Sequence, residues 1–75
     1  ENYEELFEET NLGEIIEALV KNNLNISQTA ADLYIHRNTL LYQLNKIKDQ
    51  RGYNLKKISD LFTLLLAYHL YLLDY

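Results

Sequence analysis

The chain has 75 residues, of which 48% are hydrophobic, and it carries a net charge of −4 with two glycines and no proline. This length allows one small domain, and the shortage of turn-forming residues favours helices over a β-sandwich. The chain has no cysteine, which excludes disulfides and thiolate metal sites and fits a reducing cytoplasm. We therefore expect an all-α fold that relies on packing or oligomerisation for its stability.

The hydrophobic segments give no membrane or export signal. The longest, residues 61–73, has thirteen residues and includes Thr63 and His69, whereas a membrane-spanning helix needs about 20. No signal-peptide pattern opens the chain. The chain also lacks methionine, so we expect it to be a fragment of a longer protein.

The first elements in chain order are an acidic segment and an amphipathic helix. Residues 1–11 are acidic and place Tyr3, Leu6 and Phe7 at helical spacing, so they form either an acidic linker or a short leading helix. Residues 13–22 carry a regular apolar stripe and are expected to form a helix that ends in a run of asparagines. We place the folded domain over residues 12–75.

Two helices are expected in the centre of the chain. Ser27 is the predicted N-cap of a two-turn helix over residues 28–33. A longer helix is predicted over residues 37–50, because its leucines and isoleucine recur at helical spacing and Gly52 follows as a left-handed cap. His36 is interpreted as the residue that starts this longer helix.

The two central helices have the spacing of a helix-turn-helix motif. They are separated by three or four residues, and the first carries the small residues Ala30 and Ala31, which allow close packing. The same spacing also fits an αα-hairpin inside a helical bundle. We expect a small helix-turn-helix bundle of four to five helices.

The candidate DNA-binding surface is the polar face of the longer central helix. At about 100° per residue, Asn38, Tyr42 and Lys46 face away from the buried leucines. Asparagine can pair with adenine in the major groove, whereas hydroxyl groups and lysine commonly hold phosphates. Each residue alone is equally typical of a solvated helix. The predicted contacts to double-stranded DNA are Ser27, Gln28, Thr29, His36, Arg37, Asn38, Thr39, Tyr42, Gln43 and Lys46.

The charges are unevenly distributed along the chain. Residues 1–17 contain seven acidic and no basic side chains, whereas residues 36–57 contain six basic side chains and one acidic side chain. A locally basic second half favours a nucleic-acid partner despite the net negative charge. The alternative is that both segments are solvated helix faces.

The sequence contains no constellation that favours catalysis or metal binding. His36 and His69 are 33 residues apart, with no carboxylate at metal-ligand spacing. Ser27, Asp32 and His36 are the residue types of a catalytic triad, but nothing indicates an oxyanion hole. We expect neither an enzyme nor a bound cofactor or metal.

The segment from His36-Arg-Asn-Thr to Gly52, followed by a leucine-rich helix, resembles the C-terminal helix-turn-helix domain of PucR/CdaR-type regulators of purine and sugar-diacid metabolism, itself similar to the Fis-type motif. The resemblance covers residues 12–73. It implies a cytoplasmic, nucleoid-associated bacterial transcription regulator with an effector-sensing domain upstream. Members often carry basic residues where this chain has Leu41 and Gln43, which implies weaker DNA binding or a need for a dimer.

The final helix is predicted over residues 60–73, with Ser59 as its N-cap. Its residues from Leu61 to Leu73 are apolar nearly all round, whereas a small core covers a stripe of about 100°. We expect this helix to form a homodimer contact. The alternatives are that it packs on the upstream sensing domain, or that the whole chain is a helical interaction module without DNA binding.

Overall fold

The computed structural model describes residues 3–73. It contains five α-helices, which confirms the expected all-α bundle. Within residues 1–11, for which the sequence left a linker or a short helix open, Tyr3–Glu9 form a helix. The helices are α1 (Tyr3–Glu9), α2 (Leu12–Lys21), α3 (Ile26–Asp32), α4 (Arg37–Arg51) and α5 (Ile58–Leu73).

One hydrophobic core joins all five helices. α1 belongs to this core, because its Leu6 and Phe7 side chains are buried in it. Their helical spacing was already visible in the sequence. The folded unit therefore begins before residue 12. The buried core residues are Leu6, Phe7, Leu12, Ile15, Ile16, Leu19, Ala30, Leu40, Leu44, Leu55, Leu61 and Leu64.

α1 packs against α5 through aromatic side chains. The ring of Phe7 lies 5.1 Å from that of Tyr68 and 5.4 Å from that of Tyr71, measured between centroids. Gly13, at the start of α2, faces the Tyr68 ring so closely that a Cβ atom there would overlap it. Burial, with the nearby carboxylates of Glu17 and Glu14, raises the pKa of Tyr68.

Two of the predicted helix caps are wrong. α3 begins earlier than expected, because the Asn25 side chain accepts a hydrogen bond from the Gln28 N–H at 3.0 Å, which leaves Ser27 inside the first turn. α5 likewise begins at Ile58, so Ser59 lies inside the helix. The predicted Gly52 cap is confirmed, since Gly52 has a φ of 79° and its N–H donates to the Lys48 carbonyl.

The helix-turn-helix motif consists of α3, a connection over residues 33–36, and α4. Tyr34 occupies the left-handed region with a φ of 58°, and its N–H donates to the Ala31 carbonyl. The motif is also tied to α2, because Asn22 Nδ2 donates to Asp32 Oδ2 at 2.8 Å and Lys21 Nζ lies 3.7 Å from the same oxygen. The Asn22 hydrogen bond, with Lys21 nearby, lowers the pKa of Asp32.

Between residues 3 and 73, none of the helices combines the length and the apolar character that crossing a membrane requires.

Candidate nucleic-acid interface

His36 sets the position where α4 begins. Its backbone is extended, with φ −71° and ψ 147°, and its ring Nδ1 accepts a hydrogen bond from the Asn38 N–H at 3.1 Å. This N-cap satisfies one of the free amides of the first turn. The interpretation of His36 as the helix-start residue is confirmed.

α4 has a buried face and an opposite polar face. Leu40 and Leu44 are in the core. At about 100° per residue, Asn38, Tyr42 and Asn45 lie on the opposite side, and all three are exposed, Tyr42 by 66%. This outward face is polar, and by the same helical geometry it also carries the exposed carboxylate of Asp49 near the C-terminal end of α4.

Basic side chains flank the outward face on both sides. By the same helical geometry, Lys46 and the exposed Thr39 lie on the flank towards the α1–α2 connection, whereas Arg37 lies on the opposite flank. Arg37 and Lys46 form no ion pair with any side chain that the structure describes, and an anionic partner can therefore reach them.

The predicted contacts on α3 are only partly at the surface. Ser27 and Gln28 are exposed in the first turn of α3. Thr29 is 0% exposed, and its hydroxyl donates to the Asn25 carbonyl at 2.7 Å. We therefore leave Thr29 out of the candidate DNA contacts, because its side chain is enclosed and its hydroxyl already donates to a backbone carbonyl.

Gln43 was predicted to contact DNA in the groove, but it does not lie on the outward face of α4. It is half-buried and lines a recess of about 340 Å³ against Leu12 and Ile15 of α2. Its Oε1 atom is buried and accepts no hydrogen bond from the described residues. The helical geometry directs Gln43 towards α2 and away from the outward face, so we exclude it from the candidate contacts.

A second depression lies on the Arg37 flank of α4. It has a volume of about 310 Å³, and Arg37 and Lys56 both line it. Sequence reasoning noted Lys56 only as part of a basic segment, because its proximity to Arg37 arises from the folding of the α4–α5 connection. Leu41 is half-buried in the same depression. The remaining lining residues are Leu19, Leu24, Ile26 and Leu55.

Most acidic and basic side chains lie on different elements, with Asp49 on α4 as an exception. The exposed acidic side chains of Glu5, Glu8, Glu14 and Glu17 lie on α1 and α2. The basic side chains, apart from Lys21, lie on α4 or in the connection that follows it. The outward face of α4 is thus bordered by positive charge although the net charge of the chain is −4.

Residues 12–70 match the model of the PucR C-terminal helix-turn-helix domain. The chain belongs to this family. Among curated relatives, a leucine-rich protein of Streptococcus dysgalactiae subsp. equisimilis is 42% identical over 53 residues, covering 71% of this chain and 19% of the relative. The purine catabolism regulatory protein of Bacillus subtilis is 35% identical over 60 residues, covering 80% of this chain and 11% of that protein.

An uncharacterised protein of Haemophilus influenzae is 40% identical over 64 residues, covering 83% of this chain and 17% of the relative. The PucR-type domain therefore spans less than a fifth of the length of each of these relatives. No solved structure matches the chain.

Proposed function

We propose that this PucR-type domain is the DNA-binding part of a bacterial transcription regulator, and that α4 enters the major groove of double-stranded DNA. The observation that carries the proposal is the exposed polar face of α4, which directly follows a helix-turn-helix connection. Arg37 and Lys46 lie on its two flanks, and neither is paired with a side chain in the described part of the chain. One relative is named a purine catabolism regulatory protein, which supports a regulatory role.

The side chains at the start of α4 are suited to reading bases. Asn38 is in the first turn, which in helix-turn-helix proteins approaches base edges most closely, and an asparagine amide can pair with adenine through two hydrogen bonds. Arg37 is long enough to reach a guanine edge or a phosphate. His36 is committed to capping, so it would contact DNA only through the rest of its ring.

Other exposed residues are suited to holding the phosphate backbone. Thr39 and Tyr42 offer hydroxyl groups and Lys46 offers a positive charge further along α4. Ser27 and Gln28, in the first turn of α3, are placed where the first motif helix crosses the backbone in such complexes. These contacts would fix the register of α4 without reading sequence.

A salt titration tests the proposal. We expect this chain to bind a fluorescein-labelled duplex in anisotropy measurements, with an affinity that falls steeply as salt rises. Arg37→Ala and Asn38→Ala should each weaken binding by about 1–3 kcal/mol while leaving the melting temperature nearly unchanged, because both residues are exposed. Gln50→Ala, which removes an exposed amide from the last turn of α4, is the matched control.

If wild type shows no salt-dependent binding, the DNA-binding proposal fails. A helical protein-interaction module is then the better function. If wild type binds but both variants bind equally well, the assigned reading face is wrong.

We further propose that the domain forms a homodimer through α5. Five apolar side chains four or three residues apart make an exposed stripe along this helix, and each is between 52% and 82% exposed. Soluble monomers rarely expose an apolar patch of more than a few hundred Å². Packing the stripe against its copy would place two α4 helices on one duplex. The stripe consists of Ile58, Phe62, Leu66, Leu70 and Leu73.

Sedimentation equilibrium of wild type and two charge variants tests the homodimer. Leu66→Glu places a carboxylate in the middle of the stripe and should abolish association, whereas Gln50→Glu adds the same charge on α4 and should not. A monomer at hundreds of micromolar would contradict the homodimer.

We also propose an effector-sensing domain upstream of this one, because the relatives are at least five times longer than the matched region. If the homodimer is contradicted, that domain would be the partner of the stripe.

A further inference from the structure

We infer that Lys56, in the connection between α4 and α5, joins Arg37 to form a phosphate-binding site for the DNA backbone on one flank of α4. The inference rests on the proposed DNA-binding function and adds to it a contact from outside the helix-turn-helix motif. Lys56 would extend the DNA-binding surface beyond α4.

The fold brings these two cations together. Arg37 opens α4, whereas Lys56 lies 19 residues later, yet both line the depression of about 310 Å³. The other lining residues are apolar and offer no carboxylate. Both side chains are exposed, and neither forms an ion pair with a side chain whose placement the structure describes. Two unpaired cations at one depression create a positive potential that favours an anion.

The backbone around Lys56 is held in place before any ligand binds. Leu55 is 1% exposed and anchors the connection in the core. Asn54 accepts a hydrogen bond from the Lys56 N–H through its side chain, at 3.1 Å, and its own N–H donates to the Asp60 carboxylate at 2.9 Å. Only the lysine side chain remains to be ordered on binding, which keeps the entropic cost small.

The position of the pair favours a backbone phosphate over a base edge. Arg37 borders the outward face of α4, and Lys56 belongs to the α4–α5 connection and shares with Arg37 a depression whose other lining residues are apolar. A helix in the major groove has a phosphate strand on each side. The pair would hold the strand on the Arg37 flank, and Lys46 the strand on the opposite flank.

Lys56→Ala and Lys57→Ala test this site against a matched control. Both remove one exposed lysine from the same connection, but only Lys56 lines the depression. In anisotropy titrations with a random-sequence duplex, Lys56→Ala should weaken binding about five- to tenfold near 0.1 M salt and reduce the log–log salt slope by about 0.9. Lys57→Ala should change both quantities much less, and Lys56→Arg should restore binding.

A double-mutant cycle tests whether Arg37 and Lys56 share one site. If they bind the same phosphate, the affinity loss of the Arg37→Ala/Lys56→Ala double variant should be smaller than the product of the two single losses. Melting temperatures should remain close to that of wild type, because both side chains are exposed.

Three results would overturn the inference. Equal losses for Lys56→Ala and Lys57→Ala would indicate a general charge effect, and wild-type affinity for Lys56→Ala would remove this lysine from the interface. In both cases DNA binding by α4 would still stand. A wild-type chain that does not bind duplex DNA at low salt would overturn the proposed function and, with it, the site.

Discussion

Replacing Gly13 with alanine tests how tightly α2 packs against α5. A Cβ atom at Gly13 would overlap Cε1 and Cζ of Tyr68 and lie 2.8 Å from its Cδ1, so the ring must move by about 1 Å to restore ordinary contact. The ring is not free to move, since it packs against Phe7 at 5.1 Å and Tyr71 at 6.2 Å. The substitution therefore overpacks the contact between α2 and α5.

The expected loss of unfolding free energy is the overpacking cost minus the gain in helix propensity. Overpacking costs about 1–3 kcal/mol, whereas alanine gains up to about 1 kcal/mol over glycine in helix propensity. We expect Gly13→Ala to lower the free energy of unfolding by about 1–2 kcal/mol, or the melting temperature by about 5–10 °C in a domain of this size.

Urea and thermal unfolding, followed by circular dichroism, measure this loss. The control is the same substitution in a Tyr68→Ala background, where the ring is absent and only the propensity gain remains. There Gly13→Ala should be neutral or stabilising. Stabilisation in the wild-type background, or an equal loss in both backgrounds, would refute the close approach of Gly13 to Tyr68.

The remaining predictions concern the backbone, the interface and the half-buried phenol of Tyr68. Tyr34→Gly should leave the free energy of unfolding unchanged or raise it by up to about 1 kcal/mol, because Tyr34 is 95% exposed in a left-handed conformation that glycine adopts freely. Gly52→Ala should lower the free energy of unfolding by about 1 kcal/mol, because Gly52 has a positive φ. Chemical denaturation measures both changes. Lys46→Ala should reduce the log–log salt slope of DNA binding by about 0.9, and an unchanged slope would remove Lys46 from the interface. Because the pKa of Tyr68 is raised in the folded state, its contribution to stability is fully present below the unfolded pKa of about 10 and is lost as pH rises through the folded pKa. Glu17→Gln should lower the folded pKa of Tyr68, measured by an absorbance titration of tyrosinate. An unchanged pKa would contradict the assigned contribution of Glu17.

The boundaries of α4 were predictable because several local signals agree. Leu40, Leu44 and Ile47 recur at helical spacing, and Gly52 ends the helix in the left-handed conformation that it adopts most readily. The start of α3 was harder to predict, because Asn25 and Ser27 are both good N-cap residues only two positions apart. The choice between them depends on the preceding turn, where Asn23 and Leu24 adopt positive φ values.

The candidate site was only partly predictable for a different reason. The helical periodicity of the sequence identifies Asn38 and Tyr42 as outward-facing. It does not show that the Thr29 hydroxyl donates a hydrogen bond to the Asn25 carbonyl. It also cannot bring Lys56 next to Arg37, because that proximity depends on Leu55 being buried in a core formed by distant elements. Contacts within one helix follow from the sequence, whereas contacts between elements require the fold.

The net charge of −4 does not oppose the proposed function, because the exposed glutamates lie on α1 and α2 and α4 itself carries four basic side chains against the single carboxylate of Asp49. Interactions between exposed charges are screened over about 8–10 Å in 0.10–0.15 M salt. A phosphate beside the first turns of α4 therefore interacts mainly with the charges of α4 and of the connection that follows it, which are basic apart from Asp49. At longer range the acidic α1 and α2 are repelled by DNA while the basic side is attracted. The separated charges therefore favour encounters in which α4 approaches the duplex first, and they weaken encounters through the acidic side.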